Sequence, residues 1–291
     1  MKMIKKIIRK SLKISWTNPL LWIFGFFASY LLTNEIILFL NVPWQISVGV
    51  NPSPVFFQFI ISFKNLLFNE NIVISDFLKI IGSLFLFWII PFILATWAEI
   101  VIFKNAKRKN KNINFSIKDT FSKFWPVFLI NFLLILVNDG SILLINLLTS
   151  VLSGFIFWLV ILLLLLIELI LFLITKFVLC FIILENKKII SAIKDGILFF
   201  KKNWQTVFYL LLILFVLNIL FTIIINLIAV GGFSPFSIIS TLISEWGSYG
   251  YQILFYTGLI IVGSIVLILW SFFFSFQIII WPVLFLYNTK N

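Results

Sequence analysis

The sequence predicts an all-α membrane protein: a six-helix transmembrane bundle with basic amphipathic interfacial helices, grouped as three parallel helix-plus-hairpin repeats. Three observations carry this. Apolar residues make up 62% of the 291 residues and charged residues 11%, against near half and a quarter in a soluble domain. Six apolar stretches reach the roughly 20 residues that cross a bilayer as helix. The basic residues are sorted by side: of 22 Lys and Arg, nineteen fall in the N-terminal segment, the second and fourth connections and the tail. Two, Lys64 and Lys79, fall in the segments between, and Lys176 lies inside the fourth stretch.

The six predicted spans are 19–40, 78–103, 124–148, 155–184, 205–230 and 250–286, all within one polytopic membrane domain, 1–291. Pro19 and Pro126 stand near helix starts, where a missing N–H costs nothing. Pro91 and Pro282 lie inside spans and predict kinks. The run from Pro19 to Leu40 is longer than a signal-peptide core and ends without a small-x-small site, so it is read as an uncleaved first span. The excess of Lys and Arg places both termini and both basic connections in the cytoplasm, in the inner membrane of a bacterium. Asn138-Asp139-Gly140 and Gly231-Gly232 read as turns on the opposite side. There a longer segment, 41–77, contains Val55 to Phe68, too short to span and predicted to be interfacial or re-entrant.

Interfacial segments are predicted at 2–16, 55–68, 113–123 and 189–202. The first, third and fourth share a plan: Lys among apolar residues at helical spacing, then a Trp, then a hairpin of two spans. Lys5, Lys6 and Arg9 precede Trp16; Lys118 precedes Trp125; Lys194 precedes Trp204. Lys facing phosphates with Trp at the interface is the pattern of a membrane surface. These eight residues are the expected lipid contacts, with anionic headgroups as partners. The net charge of +12 is absorbed by these clusters, which excludes a nucleic-acid reading.

Two passages carry a resemblance. Lys-Ile-Ser-Trp-Thr-Asn-Pro-Leu-Leu-Trp-Ile-Phe-Gly (13–25), and Phe177 to Trp204 with its acidic span end at Glu185 and its Lys-Lys-Asn-Trp close, resemble the polytopic family named for the membrane domain of glycerophosphoryl diester phosphodiesterases and related bacterial membrane proteins. The resemblance implies about six helices with interfacial segments. It implies no phosphodiesterase chemistry, which in that family belongs to a separate soluble domain carrying acidic residues and histidines.

Candidate chemistry is confined to polar residues at depth. Glu168 falls near the middle of the fourth span, where an ionised carboxylate is costly; it is either a proton- or cation-linked site or a neutral acid bonded to a neighbouring helix, with Asn218 as the expected partner. Lys176 lies eight residues on, about 12 Å along the axis, too far to pair with Glu168 on a straight helix. Asn131 and Gln277 lie at comparable depth, so Glu168, Lys176, Asn131, Asn218 and Gln277 are the candidate intramembrane polar site, weighed against simple snorkelling of Lys176. Glu35 and Glu99 read as interfacial, Glu99 partly neutralised by nearby basic residues. Gly25 with Ser29, and Ser150 with Gly154, are small-xxx-small pairs that permit close helix approach. The chain has no histidine and one cysteine, Cys180, so no internal disulfide, imidazole metal site or cofactor is expected, and no catalytic motif is visible. The expected function is structural or accessory, engaging lipid or partner proteins. A transporter of a small solute or lipid around Glu168 is the alternative, and a membrane enzyme acting on lipid is third.

Overall fold

The computed structural model describes residues 2–31, 82, 89–107, 117–149, 154–243 and 248–289. These are helical, with no strand among them: α1 Lys2–Thr17, α2 Leu20–Leu31, α3 Ile90–Lys107, α4 Ile117–Thr149, α5 Gly154–Glu185, α6 Ile189–Ile243 and α7 Ser248–Asn288. Within α4 to α7, the stretches Thr120–Ile145, Gly154–Glu185, Ile189–Phe236 and Phe255–Asn288 are each long and apolar enough to cross a membrane. The chain is a helical membrane protein: a bilayer accepts Leu and Ile on every side of a helix and leaves the backbone no partner but itself.

Three helices form the centre. α3, α5 and α7 pack on one another, α4 packs on α3 and α5, α6 packs on α5 and α7, and α1 packs on α7. α2 touches both α7, through Trp22 against Phe272, and α3, through Phe24 against Trp97. The central helices run parallel. Lys176 and Leu184 of α5 meet Glu99 and Lys107 of α3, the same 77-residue separation twice. Phe177 and Phe181 likewise meet Trp281 and Phe285 of α7.

Close approaches are made where side chains are small. A Cβ on Gly25 would stand 2.3 Å from the Ser271 carbonyl oxygen, and one on Gly196 would stand 2.7 Å from Val178 Cγ2. Gly25 therefore fits the predicted close approach. Gly154 does not: a Cβ there would meet nothing within 4 Å, and its φ of +68° makes it the glycine-favouring start of α5. Its predicted partner Ser150 lies outside the described residues.

Several boundaries differ from expectation. α4 runs unbroken through Asn138-Asp139-Gly140, and α6 runs through Gly231-Gly232 to Ile243. Turn preferences measured in water lose where the flanking chain is apolar, because an open turn would leave backbone groups without partners. Pro126 lies nine residues inside α4, because the amphipathic start and the span form one helix. Between the fourth amphipathic segment and its span the chain does break, at Asn203 (φ −117°, ψ 15°), where the Asn203 side-chain amide donates to the Phe199 carbonyl. Pro282 lies inside α7 as expected. The segment 55–68, Glu35, residues 32–40 of the first predicted span and residues 78–81 and 83–88 of the second lie outside the described residues.

Candidate functional site

The amphipathic segments place their two faces differently. On α1, Ile7, Ser11 and Ser15 are buried against the bundle, while Lys5, Lys6, Arg9, Lys10 and Lys13 are exposed. The spacing of the buried residues, near three to four, is that of one helix stripe. Ser15 holds the docked face: its hydroxyl shares a hydrogen bond with the Ser275 hydroxyl on α7, and its carbonyl accepts from Trp22 Nε1 at 2.9 Å. At the start of α6, Ala192 and Gly196 are buried and Lys194, Lys201 and Lys202 are exposed. Trp16, Trp125 and Trp204 are 66%, 64% and 55% exposed, which for so large a ring means that it points away from the protein. Lys118 stands in the first turn of α4; its side chain lies outside the described residues.

The deep polar residues separate into three groups. In the first, Lys176 Nζ lies 3.0 Å from Glu99 Oε1, with both side chains 1% exposed. Asn131 Nδ2 donates to Glu99 Oε2 at 2.8 Å, and the Lys176 ammonium stands 4.9 Å from the centre of the Phe172 ring. One residue each from α3, α4 and α5 thus converges on a closed ion pair, both carboxylate oxygens taken. Lys176 therefore does not reach outward as a snorkelling lysine would, and Glu99 is buried among the helices with Lys176 as its cation. The partner that was missed is a matter of depth. Glu99 precedes the end of α3 by eight residues and Lys176 precedes the end of α5 by nine, so parallel neighbours bring them level. Lys104, five residues on in sequence, is the nearer cation along the chain, and Lys176 is the one seen 3.0 Å from Glu99 Oε1.

In the second group, Gln277 Nε2 on α7 donates to Asn218 Oδ1 on α6 at 2.7 Å, and Asn218 Nδ2 donates back to the Leu214 carbonyl at 2.9 Å. Asn218 is therefore the partner of Gln277 and not of Glu168. Glu168 stands by itself as the third group: it is 6% exposed, and its neighbour is Ser141 of α4. The five expected site residues are thus divided among three places, with Glu99 joining as a sixth.

A separate cluster closes the basic end of α5. Asn186 takes a left-handed φ of 59°, a turn that Asn tolerates better than other side chains. The next residue, Lys187, donates its backbone N–H to the Phe181 carbonyl at 3.2 Å. Its ammonium lies 2.8 Å from Asp195 Oδ2 and 3.1 Å from Glu185 Oε2, over the Phe181 ring. The hydrogen bond to Asp195 raises the Lys187 pKa above its ordinary value; burial opposes it, and the hydrogen bond to Glu185 adds to the rise. Lys107 of α3 reaches the same helix end, its Nζ 3.3 Å from the Leu184 carbonyl, where a cation also suits the helix dipole. Among the described residues, no group of three or more Cys, Asp and Glu is placed to hold a metal ion. Comparison with protein-family models, with curated proteins and with solved structures finds no match to this chain.

Proposed function

We propose that this protein is a structural or accessory protein of a bacterial cytoplasmic membrane, with six spans and both termini inside, that engages anionic lipid through basic amphipathic segments. One observation carries the proposal. The helix faces that bear Lys5, Lys6, Arg9 and Lys194 are exposed while their opposite faces are buried in the bundle, so cations are presented outward by elements that cannot turn away. The exposed Trp16, Trp125 and Trp204 mark the level at which such faces meet headgroups. Each Lys or Arg near an anionic surface contributes about 1 kcal/mol of attraction.

Packing supports the three-unit repeat. A unit comprises a basic segment and two spans; its second span is α3, α5 or α7, and these three make the centre. The first spans, α2, α4 and α6, each seat between two central helices: α2 between α7 and α3, α4 between α3 and α5, α6 between α5 and α7. Three units closing a ring in this way have a pseudo-threefold axis along the central helices. The resemblance to the glycerophosphoryl diester phosphodiesterase membrane-domain family belongs to the same proposal and rests on Lys13–Gly25 and Phe177–Trp204. Transport through the interior is the second reading. The closed Glu99–Lys176–Asn131 group counts against it, since an ion pair with its oxygens satisfied offers no vacant coordination, and Glu168 is what favours it. The third reading, an enzyme acting on lipid, has no arrangement of described residues in its support.

The test uses the full-length protein in nanodiscs of mixed phosphatidylglycerol and phosphatidylcholine. The lipid retained by the protein is compared between wild type and a variant with Lys5, Lys6 and Arg9 all changed to Gln, at low and high salt. Enrichment of phosphatidylglycerol that falls with salt and falls in the variant is expected. Equal enrichment in both proteins at both salt concentrations would sink the proposal.

A further inference from the structure

Glu168 is the one deep carboxyl, among the described residues, with an oxygen left over. Its Oε1 is shut off from solvent and has no hydrogen-bond partner. It lies in the seam where α4 and α5 pack antiparallel. On the side away from the basic helix ends, Ile142, Ile145, Phe157, Ile161 and Leu165 seal the seam as a small apolar cluster. On the other side Lys176 is eight residues along the same helix and already engaged by Glu99.

Among the described residues, the charges on the elements around the seam do not neutralise a carboxylate there. α3 brings Glu99, which is committed to Lys176, and α4 brings Asp139, of the same sign. The described lengths of α6 beyond Asn203, and all of α7, contain no Asp, Glu, Lys or Arg. An ionised carboxylate buried without a counter-charge costs far more than its neutral form, so the group takes up a proton instead. Ser141 suits either partner role, since a hydroxyl both donates and accepts.

We infer that the α4–α5 seam holds an intramembrane proton-binding site, the carboxyl of Glu168 met by Ser141, occupied at neutral pH. This goes beyond the accessory role and does not depend on it; it rests on α5 lying in the membrane. The bound proton lets α4 and α5 close on each other at this level. Its loss would leave an unpaired anion in a sealed apolar seam, so proton occupancy and closure of the seam are linked.

The experiment is infrared spectroscopy of the full-length protein in nanodiscs at neutral pH, wild type against Glu168→Gln. The carbonyl stretch of a protonated carboxyl is expected in the wild type, shifted in heavy water, and lost in the variant. Its absence from the wild type, with a carboxylate band in its place, overturns the inference. A carboxylate band at Glu168 that shifts when sodium replaces choline would also overturn it, reassigning the site to a monovalent cation. Should Glu168→Gln not fold, labelling of the wild type by a hydrophobic carbodiimide, located by peptide mass spectrometry, takes its place. Label on Glu168 that declines as pH rises supports the site. No label on Glu168 in folded protein, with label on the same residue after unfolding at the same pH, overturns it. Failure of the lipid-enrichment test leaves all these readouts unaffected.

Discussion

Along α5, every residue from Lys176 to Leu184 is buried, whereas from Phe155 to Leu171 most side chains are exposed. α7 repeats the contrast: Phe273 to Phe285 are buried without a gap, and Ile253, Leu259, Ile260, Ile265 and Ile268 are exposed. The half of the molecule that carries the basic helix ends is packed like an interior, and the other half opens its helices to their surroundings. In water such an opening would be costly at roughly 25 cal/mol per Å². In hydrocarbon it costs little, because lipid tails are as apolar as leucine and do not drive helices together. Tight packing therefore needs another cause where it occurs. The structure places most of the causes in one half: the Glu99–Lys176–Asn131 group, the Ser15–Ser275 contact and the close approaches at Gly25 and Gly196, with the approach of Phe236 to Gly258 as the counterpart in the open half. Most of the deep polar contacts hold the packed half, and the open half is held by shape and by membrane.

The strongest way to break the contrast is to break the ion pair. Lys176→Met leaves Glu99 buried with Asn131 as its remaining partner in the group, and removing one member of a buried pair costs about 3–5 kcal/mol. The expected result is a large loss of folded protein in a detergent thermal-melt or denaturant assay. Glu99→Gln combined with Lys176→Met should be less destabilised than the sum of the two single variants, because no charge is then left unpaired. If the two changes simply add, the pair is not what fixes the packed half.

A smaller effect sharpens the contrast with glycines. Gly25→Val places a side chain where even a Cβ would stand 2.3 Å from the Ser271 oxygen, so α2 must move off α7, at a cost of roughly 1–3 kcal/mol. Gly263 lies in α7 in the open half, and a Cβ there would meet nothing within 4 Å. Gly263→Ala should be neutral or stabilising by about 0.5–1 kcal/mol, since alanine loses less backbone freedom in a helix. Equal destabilisation by both, in the same melt assay, would mean that the two halves are not packed differently.

The same contrast explains what could be read from the sequence. Helical class and apolar length were legible because they depend on composition and on the span of a bilayer. The close approach at Gly25 was legible from small-residue spacing, and the outward Trp16, Trp125 and Trp204 from their place beside lysines. Contacts between distant helices were not. Glu99 stands near Lys104 in sequence, and a local rule assigns it there; its true partner is 77 residues away and becomes visible when depth is counted from the ends of two parallel helices. Asn218 was assigned to Glu168 on depth alone, but rotation about the α6 axis brings it to Gln277. Asn138-Asp139-Gly140 misled because its turn tendency is a property of chains in water, and the apolar residues on either side decide the outcome in α4.

The smallest expected effect lies at the rim of the packed half, where Lys187 joins the end of α5 to the start of α6. Its ammonium is shared by Glu185 and Asp195 and is about a third exposed, so screening by water limits the contribution to about 0–1 kcal/mol. The sign of its pH dependence follows from the raised pKa. A lysine whose folded pKa exceeds its unfolded value contributes fully below the unfolded value, about 10.4, and loses that contribution as pH rises through the folded value. The stability difference between wild type and Lys187→Met should thus be constant from neutral pH to about 9 and shrink above about 10.4. Thermal melts of both proteins across that range measure it. A difference that persists undiminished at the alkaline end would assign the role of Lys187 to its stem packed on Phe181, and the rim would then be held as the open half is, by shape and not by charge.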